Sequence, residues 1–188
     1  MTSSRPSHAV VLRGQSGSGS AGFDRPFEDV LVFEIEPEDG GAPGLWALPI
    51  DAVEEVVPWR ASTPVPCAPR EVVGVMWARG RAVTIVDVRP CLGLPGVPPT
   101  RRARIVFTWA DGELVGLLVD AVRGVVRIEA GMVESAPLAL GPTRRAARAL
   151  ARVPASRVQA GARRDLDRTD SGGRVLVVVL EPGALETR

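Results

Sequence analysis

The strongest constraint on the fold of this chain is a degenerate internal duplication. Residues 45–57 and 114–126 align without a gap, and seven of the thirteen positions are identical. The segment VLVFE precedes the first copy and RIVFT the second, and a Gly-Arg dipeptide, beginning at Gly80 or Gly173, opens the last apolar run of each half. A repeat that keeps the order of its pieces predicts two related structural units in one chain.

Both units are predicted to be built from strands. Residues 83–88 and 174–181 are apolar runs rich in β-branched residues, too apolar for strands with one wet face. Asp111-Gly112 between two apolar runs predicts a tight hairpin, and Thr143 is a predicted N-cap for a short helix through Leu150. Units of this size bury too little surface alone, so we expect two small barrels over a shared apolar layer. The repeat leaves open which barrel each strand joins.

Composition sets the boundaries and excludes several classes of function. Residues 1–27 are rich in Ser and Gly and are predicted to form a mobile tail, followed by halves at about 28–95 and 103–186. The tail holds His8, the only histidine, which argues against most acid–base catalysis. No phosphate loop or dinucleotide motif is present. We therefore expect a protein that is not an enzyme and needs no cofactor or metal.

Charge and cysteine usage narrow the partners and the compartment. The chain has 23 basic residues, all Arg, against 22 acidic ones, so no global field favours nucleic acid or anionic lipid. Cys67 and Cys91 lack CxxC spacing and are expected to be reduced. No apolar run reaches the length of a membrane-spanning helix. These features favour a cytoplasmic protein without membrane insertion.

The segment GVMWARGRAVTIVDVR, residues 74–89, is the most informative motif. Gly74 and Gly80 are predicted turn glycines, and Arg79 between Ala78 and Gly80 is expected to project outward from a tight turn. A charge on a rigid turn is suited to docking.

This segment resembles the signature of the CheW-like chemotaxis adaptors. In that family a Gly-Val turn leads to Asn-Leu-Arg-Gly, a short apolar run, Pro and an Ile/Val-Val-Asp-Leu-Arg strand. Trp77, Ala78 and Thr84 replace the usual Asn, Leu and Pro. The positions that match are Gly74, Val75, Arg79, Gly80, Ile85, Val86, Asp87 and Arg89.

The resemblance implies a mainly β fold of two SH3-like barrel subdomains on a common core, with one or two short helices, over residues 29–186. It implies a non-enzymatic adaptor that bridges the regulatory domain of a chemotaxis histidine kinase and the cytoplasmic tip of a methyl-accepting chemoreceptor. Receptor-binding positions carried over from the family are Val53, Glu55, Arg79, Val119 and Val122. The residues alone favour a weak solvated pair for Glu55 and Arg79. They likewise favour core positions for the two valines of the second copy.

Two further features have open interpretations. Trp77 is either an exposed interface anchor beside Arg79 or folds inward over the barrel end. The arginines between Arg144 and Arg168 form a solvated helix and loop, an acidic-partner patch through Arg144, Arg145, Arg148 and Arg152, or the contact of a nucleic-acid or small-ligand module. A CheW-like adaptor of a non-motility chemosensory pathway is a further alternative.

Overall fold

The computed structural model describes residues 27–38, 43–134, 146–158, 170 and 172–185. Most of the predicted tail therefore lies outside the described residues, as do Arg144 and Arg145. The described part of the chain is mostly strand, and none of its helices is long and apolar enough to cross a membrane. The elements are β1 (Phe27–Ile35), β2 (Gly44–Pro49), β3 (Val53–Pro58), β4 (Val72–Ala78), β5 (Arg81–Asp87), α1 (Val88–Cys91), β6 (Arg104–Ala110), β7 (Glu113–Val119), β8 (Ala121–Glu129), β9 (Val133–Glu134), β10 (Ala147–Pro154), α2 (Ala155–Val158) and β11 (Arg174–Leu180).

The strands form two sheets that exchange strands between the halves of the chain. Sheet 1 has the order β8-β1-β2-β11-β10-β9, and sheet 2 has the order β3-β6-β7-β5-β4. The first two strands of each half thus join the sheet that holds the remaining strands of the other half. Each sheet contains one parallel pair, β2 with β11 and β5 with β7. The predicted mainly β architecture with two related units is confirmed.

The pairing register corrects one part of the repeat alignment. Thr84 pairs with Val115 and Val178 pairs with Trp46, and Trp46 and Val115 are equivalent in the repeat. Thr84 is therefore equivalent to Val178, whereas alignment on the Gly-Arg dipeptides matches it to Val177 and is wrong by one residue. The first dipeptide begins in a two-residue turn and the second follows the long connection from β10 to β11, so they are not equivalent. A one-residue slip would exchange the two faces of a strand.

Three apolar clusters bear out the expectation of two barrels over a shared layer. One cluster, which includes Val32 and Val177, lies inside sheet 1. Another, which includes Ile85 and Phe107, lies inside sheet 2. The third takes residues from both sheets, among them Phe33, and is called the shared layer below. β1 contributes to the first cluster and to the shared layer with alternate side chains, as a strand buried on both faces must.

Gly74 is not a turn residue, contrary to the sequence-based prediction. It lies within β4, where the register with β5 shifts between Val72 and Gly74, and its φ of 154° is in the region that favours glycine. Residues 62–63 run along this edge, and Thr63 exchanges backbone hydrogen bonds of 2.9 and 2.8 Å with Val75. A Cβ at position 74 would overlap the carbonyl oxygen of Thr63 and lie 2.6 Å from Ser62 Oγ. The glycine permits this close approach of two backbones.

The predicted helix through Leu150 is wrong in its described part, because Ala147–Pro154 is strand β10, paired with β11 and β9. Ala149, Ala151 and Val153 are packed inside sheet 1. Arg148 and Arg152 alternate with them on the outer face. Burial of every second side chain in the core outweighs the helix propensity of Ala, Leu and Arg in this segment.

Strand β3 departs from simple alternation. Regular alternation would place Val53, Glu55 and Val57 on one face. Instead, Val53 and Val56 pack on the shared layer and Val57 packs inside sheet 2. The pairing with β6 shifts between Val53 and Glu55, which marks a bulge at Glu54. A bulge inserts one residue and re-aims the side chains on either side of it.

A candidate docking site at the edge of sheet 2

The site is built on the two-residue turn between β4 and β5. Ala78 pairs with Arg81, and Arg79 and Gly80 have φ of 49° and 78°. Positive φ at both central positions is the type I′ arrangement, which matches the twist of the flanking strands and favours glycine second. The turn leaves the Arg79 side chain 50% exposed. Gly80 is a turn residue and Arg79 projects outward, as expected from the sequence.

Arg79 binds two consecutive glutamates of β3. Its Nη1 lies 3.0 Å from Glu54 Oε1, and its Nε donates to Glu55 Oε2 at 3.3 Å. Neighbouring side chains on a regular strand point to opposite faces, so the bulge at Glu54 lets both carboxylates reach one guanidinium. β3 and β4 are the two edge strands of sheet 2. Since Arg79 lies in the turn that follows β4, its contacts with β3 join the two edges of the sheet.

A second layer of contacts holds Glu54 in place. The indole Nε1–H of Trp109 donates to Glu54 Oε2 at 3.2 Å, and the Arg81 guanidinium lies 4.8 Å from the Trp109 ring centroid. Sequence reasoning missed Glu54, Arg81 and Trp109 as members of this site. Trp109 belongs to the second half of the chain and reaches the site only through the strand exchange, which no local pattern reveals.

The valines implied by the family resemblance occupy different depths. Val53 on β3 and Val122 on β8 lie at edge strands of the two sheets, and both pack partly buried on the shared layer. Val53 and Val122 are equivalent positions of the internal repeat. Val119 is fully buried in the shared layer, so its side chain is not available to a partner.

Trp77 is exposed. Its side chain is 76% accessible, and it stands opposite Ala82, which is also exposed. Its neighbours along the strand, Met76 and Ala78, pack inside sheet 2, so alternation directs the indole outward. Of the two interpretations of Trp77, the exposed one agrees with the structure.

The described arginines of the Arg-rich segment are already paired. Arg148 makes two hydrogen bonds to the Glu28 carboxylate, of 3.0 and 2.9 Å. Arg152 binds Glu134 at 2.7 Å. This pairing leaves less positive charge for phosphate than the sequence suggests.

Features expected of a metal or redox centre are not found in the part of the chain that the structure describes. No group of three or more potential metal ligands occurs there. Cys67 and Cys91 are both free thiols.

Comparison with known proteins identifies the family of the chain. The chain matches the family model described as CheW-like domain over residues 29–159, well over half of its 188 residues. It is 38% identical over 88 residues to the chemotaxis protein CheW of Rhizobium meliloti (strain 1021), which covers 47% of this chain and 57% of that protein. It is 36% identical over 100 residues to the chemotaxis protein CheW of Thermotoga maritima, covering 53% of this chain and 62% of the relative. The matched part is thus less than two thirds of either relative.

A solved structure supports the same fold. The crystal structure of scaffolding protein TtCheW from Thermoanaerobacter tengcongensis superposes with a TM-score of 0.65 and covers 84% of this chain and 91% of that chain. At 21% sequence identity the likeness concerns the fold alone. The family match over residues 29–159, together with this fold, establishes that the chain belongs to the CheW-like domain family.

Proposed function

We propose that this chain is a non-enzymatic adaptor that couples a chemotaxis-type histidine kinase to methyl-accepting chemoreceptors. Membership of the CheW-like domain family supports the adaptor class, as do the names of its relatives, chemotaxis proteins and a scaffolding protein. The kinase partner is its regulatory domain, and the receptor partner is the cytoplasmic tip.

The observation that carries the proposal is the Arg79 cluster. A guanidinium half exposed to solvent is held on a tight turn by Glu54 and Glu55, and Glu54 is itself held by Trp109. Exposed ion pairs of this kind stabilise a fold by less than ~1 kcal/mol. A rigidly presented charge that does little for stability is suited to recognition.

Coupling follows from the placement of rigid surfaces on one body. The receptor-facing residues are Val53, Glu55, Arg79 and Val122, with Val119 supporting them from the core. A partner bound there and a kinase bound elsewhere on the barrels are linked if the ternary complex favours one kinase state. The adaptor itself needs no chemical step.

The class is tested by titrating the purified full chain into the isolated regulatory domain of a chemotaxis kinase from the same genome, with heat or anisotropy as the signal. Micromolar binding is expected. No binding to any such domain by a folded chain refutes the adaptor proposal.

The receptor assignment is tested with Arg79→Glu, using Arg152→Glu as a matched control. Arg152 is 45% exposed and also bound to a glutamate, so reversing its charge is a comparable perturbation at a remote place. Arg79→Glu is expected to abolish binding to the receptor tip and to retain kinase binding and the thermal transition. Arg152→Glu is expected to retain both interactions. Equal loss in both variants, or a melted Arg79→Glu protein, contradicts the assignment.

A further inference from the structure

The face of sheet 2 that packs on the shared layer extends beyond that layer. Val86 of β5 and Leu117 of β7 pair with each other and lie in the layer. Thr84 and Val115, two residues earlier on the same strands, also pair with each other. They lie on the same face because side chains alternate along a strand, and both are only partly buried. This end of the face is therefore partly open to solvent.

The register of β4 with β5 brings Trp77 onto the same face. Val75 pairs with Thr84, and Trp77 pairs with Ala82. Ala82 is exposed, as is Glu113 on β7, and Trp77 is 76% exposed. This surface is called the platform below, and its residues are Val75, Trp77, Ala82, Thr84, Glu113 and Val115. The platform is thus mainly apolar, and Glu113 is the charged residue in it.

A cavity of about 260 Å³ lies beside the platform. Its floor includes Thr84, Val86 and Val115, and its wall includes Pro182 and Leu185 of the 3-10 turn that follows β11. Glu113 is the charged residue among those that line it. The cavity is smaller than the ~300 Å³ at which pockets for drug-sized ligands begin, so its size suits one large side chain.

The chemistry of the cavity suits an indole. An indole has an apolar body and one N–H donor, which usually finds an acceptor when the ring is buried. The cavity offers apolar walls and the carboxylate of Glu113. The same pairing already occurs within the chain, where the Trp109 indole donates to Glu54 at 3.2 Å. A tryptophan that projects from a protein surface is therefore a matching occupant.

We propose that a second copy of this chain supplies the tryptophan, and that two copies pair with each Trp77 in the cavity of the other. Trp77 does not fill the cavity of its own chain, because it is 76% exposed. Neighbouring strands lie about 4.8 Å apart, so Trp77 on β4 begins within roughly 10 Å of the cavity over β5 and β7. When a projecting group and its cavity lie side by side on one face, a two-fold axis between them forms both contacts at once.

The area of the contact sets its strength. A buried aromatic side chain covers ~150–250 Å², so two indoles and the surfaces that enclose them bury on the order of 800 Å² in total. Stable interfaces bury ~1,200 Å² or more. The dimer is therefore transient, with a dissociation constant on the order of 100 μM. The inference does not depend on the proposed function, because the contact is defined by the platform and not by a kinase or a receptor.

Self-association is tested by sedimentation velocity of the full chain at concentrations up to about 1 mM, where the native chain is expected to dimerise. Trp77→Ala is expected to weaken the dimer at least about tenfold. Val125→Ala is the matched control, because Val125 is also apolar and 55% exposed but lies on β8 of sheet 1. It is expected to associate as the native chain does.

Two results of this experiment overturn the proposal. One is a native chain that stays monomeric at about 1 mM, which would leave the platform to a different protein. The other is a Trp77→Ala chain that associates as tightly as Val125→Ala.

The contact itself is tested by NMR with a chain that keeps the cavity but lacks the indole. Unlabelled native chain added to isotope-labelled Trp77→Ala is expected to shift the backbone amide signals of Val115 and Leu185, because its Trp77 can enter the cavity of the variant. Unlabelled Trp77→Ala added in the same amount is the control and is expected to shift neither signal. Equal shifts with both additions, or no shift with either, would show that Trp77 does not occupy the cavity.

Discussion

Glu34 and Arg123 form an ion pair in which both side chains are almost wholly buried, at 1% and 2% exposure. Arg123 Nε donates to Glu34 Oε1 at 2.7 Å, and Arg102 binds the other carboxylate oxygen at 2.8 Å. The pair joins β1 of the first half to β8 of the second, so it lies at the exchange of strands. Removing one partner of such a pair leaves a buried charge without compensation.

Glu34→Ala is therefore expected to lower the free energy of unfolding by about 3 kcal/mol or more, measured by urea denaturation. The double variant Glu34→Leu with Arg123→Met removes both charges and is expected to cost less than the sum of its two single changes. Additive losses would show that the two side chains do not act as a pair.

Gly74→Ala is expected to destabilise the fold by about 2 kcal/mol or more, because the new Cβ would meet the Thr63 backbone at a φ that side chains rarely adopt. Gly131→Ala is the control, since a Cβ there meets nothing within 4 Å and φ is not in the positive region. Thermal unfolding of both variants measures the difference. A Gly74→Ala protein as stable as Gly131→Ala would contradict the close approach of the two backbones.

A structural feature can be predicted from the sequence when its cause lies in neighbouring residues. It cannot be predicted in this way when its cause lies in residues that are distant in sequence. The Arg79-Gly80 and Asp111-Gly112 turns have the predicted form, because positive φ at two consecutive positions is a local demand that glycine marks. Gly74 shows the opposite case. Its need for glycine comes from the close approach of Thr63, eleven residues away in sequence. The glycine therefore marks a real backbone constraint, but that constraint is not the turn predicted from the sequence.

The candidate site was predictable in part for the same reason. Glu55 and Arg79 stand on motifs that the family resemblance singles out, and the structure brings them together. The contribution of Glu54 depends on a bulge, and that of Trp109 depends on the exchange of strands. The family resemblance places Val119 in the receptor-binding surface. In the structure Val119 ends β7 and is buried in the shared layer, which takes residues from both sheets.

The two free thiols are expected to differ in reactivity. Burial, with the charges of Glu71 and Asp87, raises the pKa of Cys91 from 9.0 to about 11, whereas Cys67 is exposed. At about pH 8, alkylation of Cys91 is expected to be at least about tenfold slower, since the thiolate is the reactive form. Mass spectrometry of a timed iodoacetamide reaction gives both rates, and Cys67→Ser should remove the fast one. A fast reaction that persists in Cys67→Ser would contradict the buried placement of Cys91.

Asp87 is expected to make stability fall as pH rises. Burial raises the pKa of its carboxyl, and the backbone N–H and charge of Arg89 oppose this only partly. The folded state therefore holds the proton more tightly than the unfolded state, so stability from this group is present at low pH and is lost as pH rises from the ordinary Asp value through the raised one.

Asp87→Asn keeps an oxygen to accept the Arg89 N–H and removes the titration. Its unfolding free energy, relative to the native chain, is expected to rise between about pH 4 and pH 7. Urea unfolding at several pH values in this range provides the comparison. A constant difference between the two proteins would show that the Asp87 pKa is the same in the folded and unfolded states.

Trp77 and Trp109 allow a residue that contacts the receptor to be distinguished from a residue that holds the docking site in place. Trp77 is 76% exposed, so Trp77→Ala is expected to change the free energy of unfolding by no more than about 0.5 kcal/mol. If the proposed receptor surface extends over this residue, the same variant weakens binding to the receptor tip about tenfold, as loss of an exposed aromatic anchor does. Receptor binding and urea unfolding are measured on the same preparations.

Trp109→Ala should behave differently, because Trp109 is bound to Glu54 and covered by Arg81. It is expected to reduce both stability and receptor binding, whereas Trp109→Phe, which keeps a ring under Arg81 but lacks the indole N–H, should mainly reduce binding by releasing Glu54. If Trp77→Ala binds the receptor as well as the native chain while Trp109→Phe does not, the contact surface is centred on the Arg79 cluster and excludes the outer face of β4. If both variants retain binding, the hydrogen bond from the indole to Glu54 is not required for receptor binding. Glu55 alone would then hold Arg79 in place.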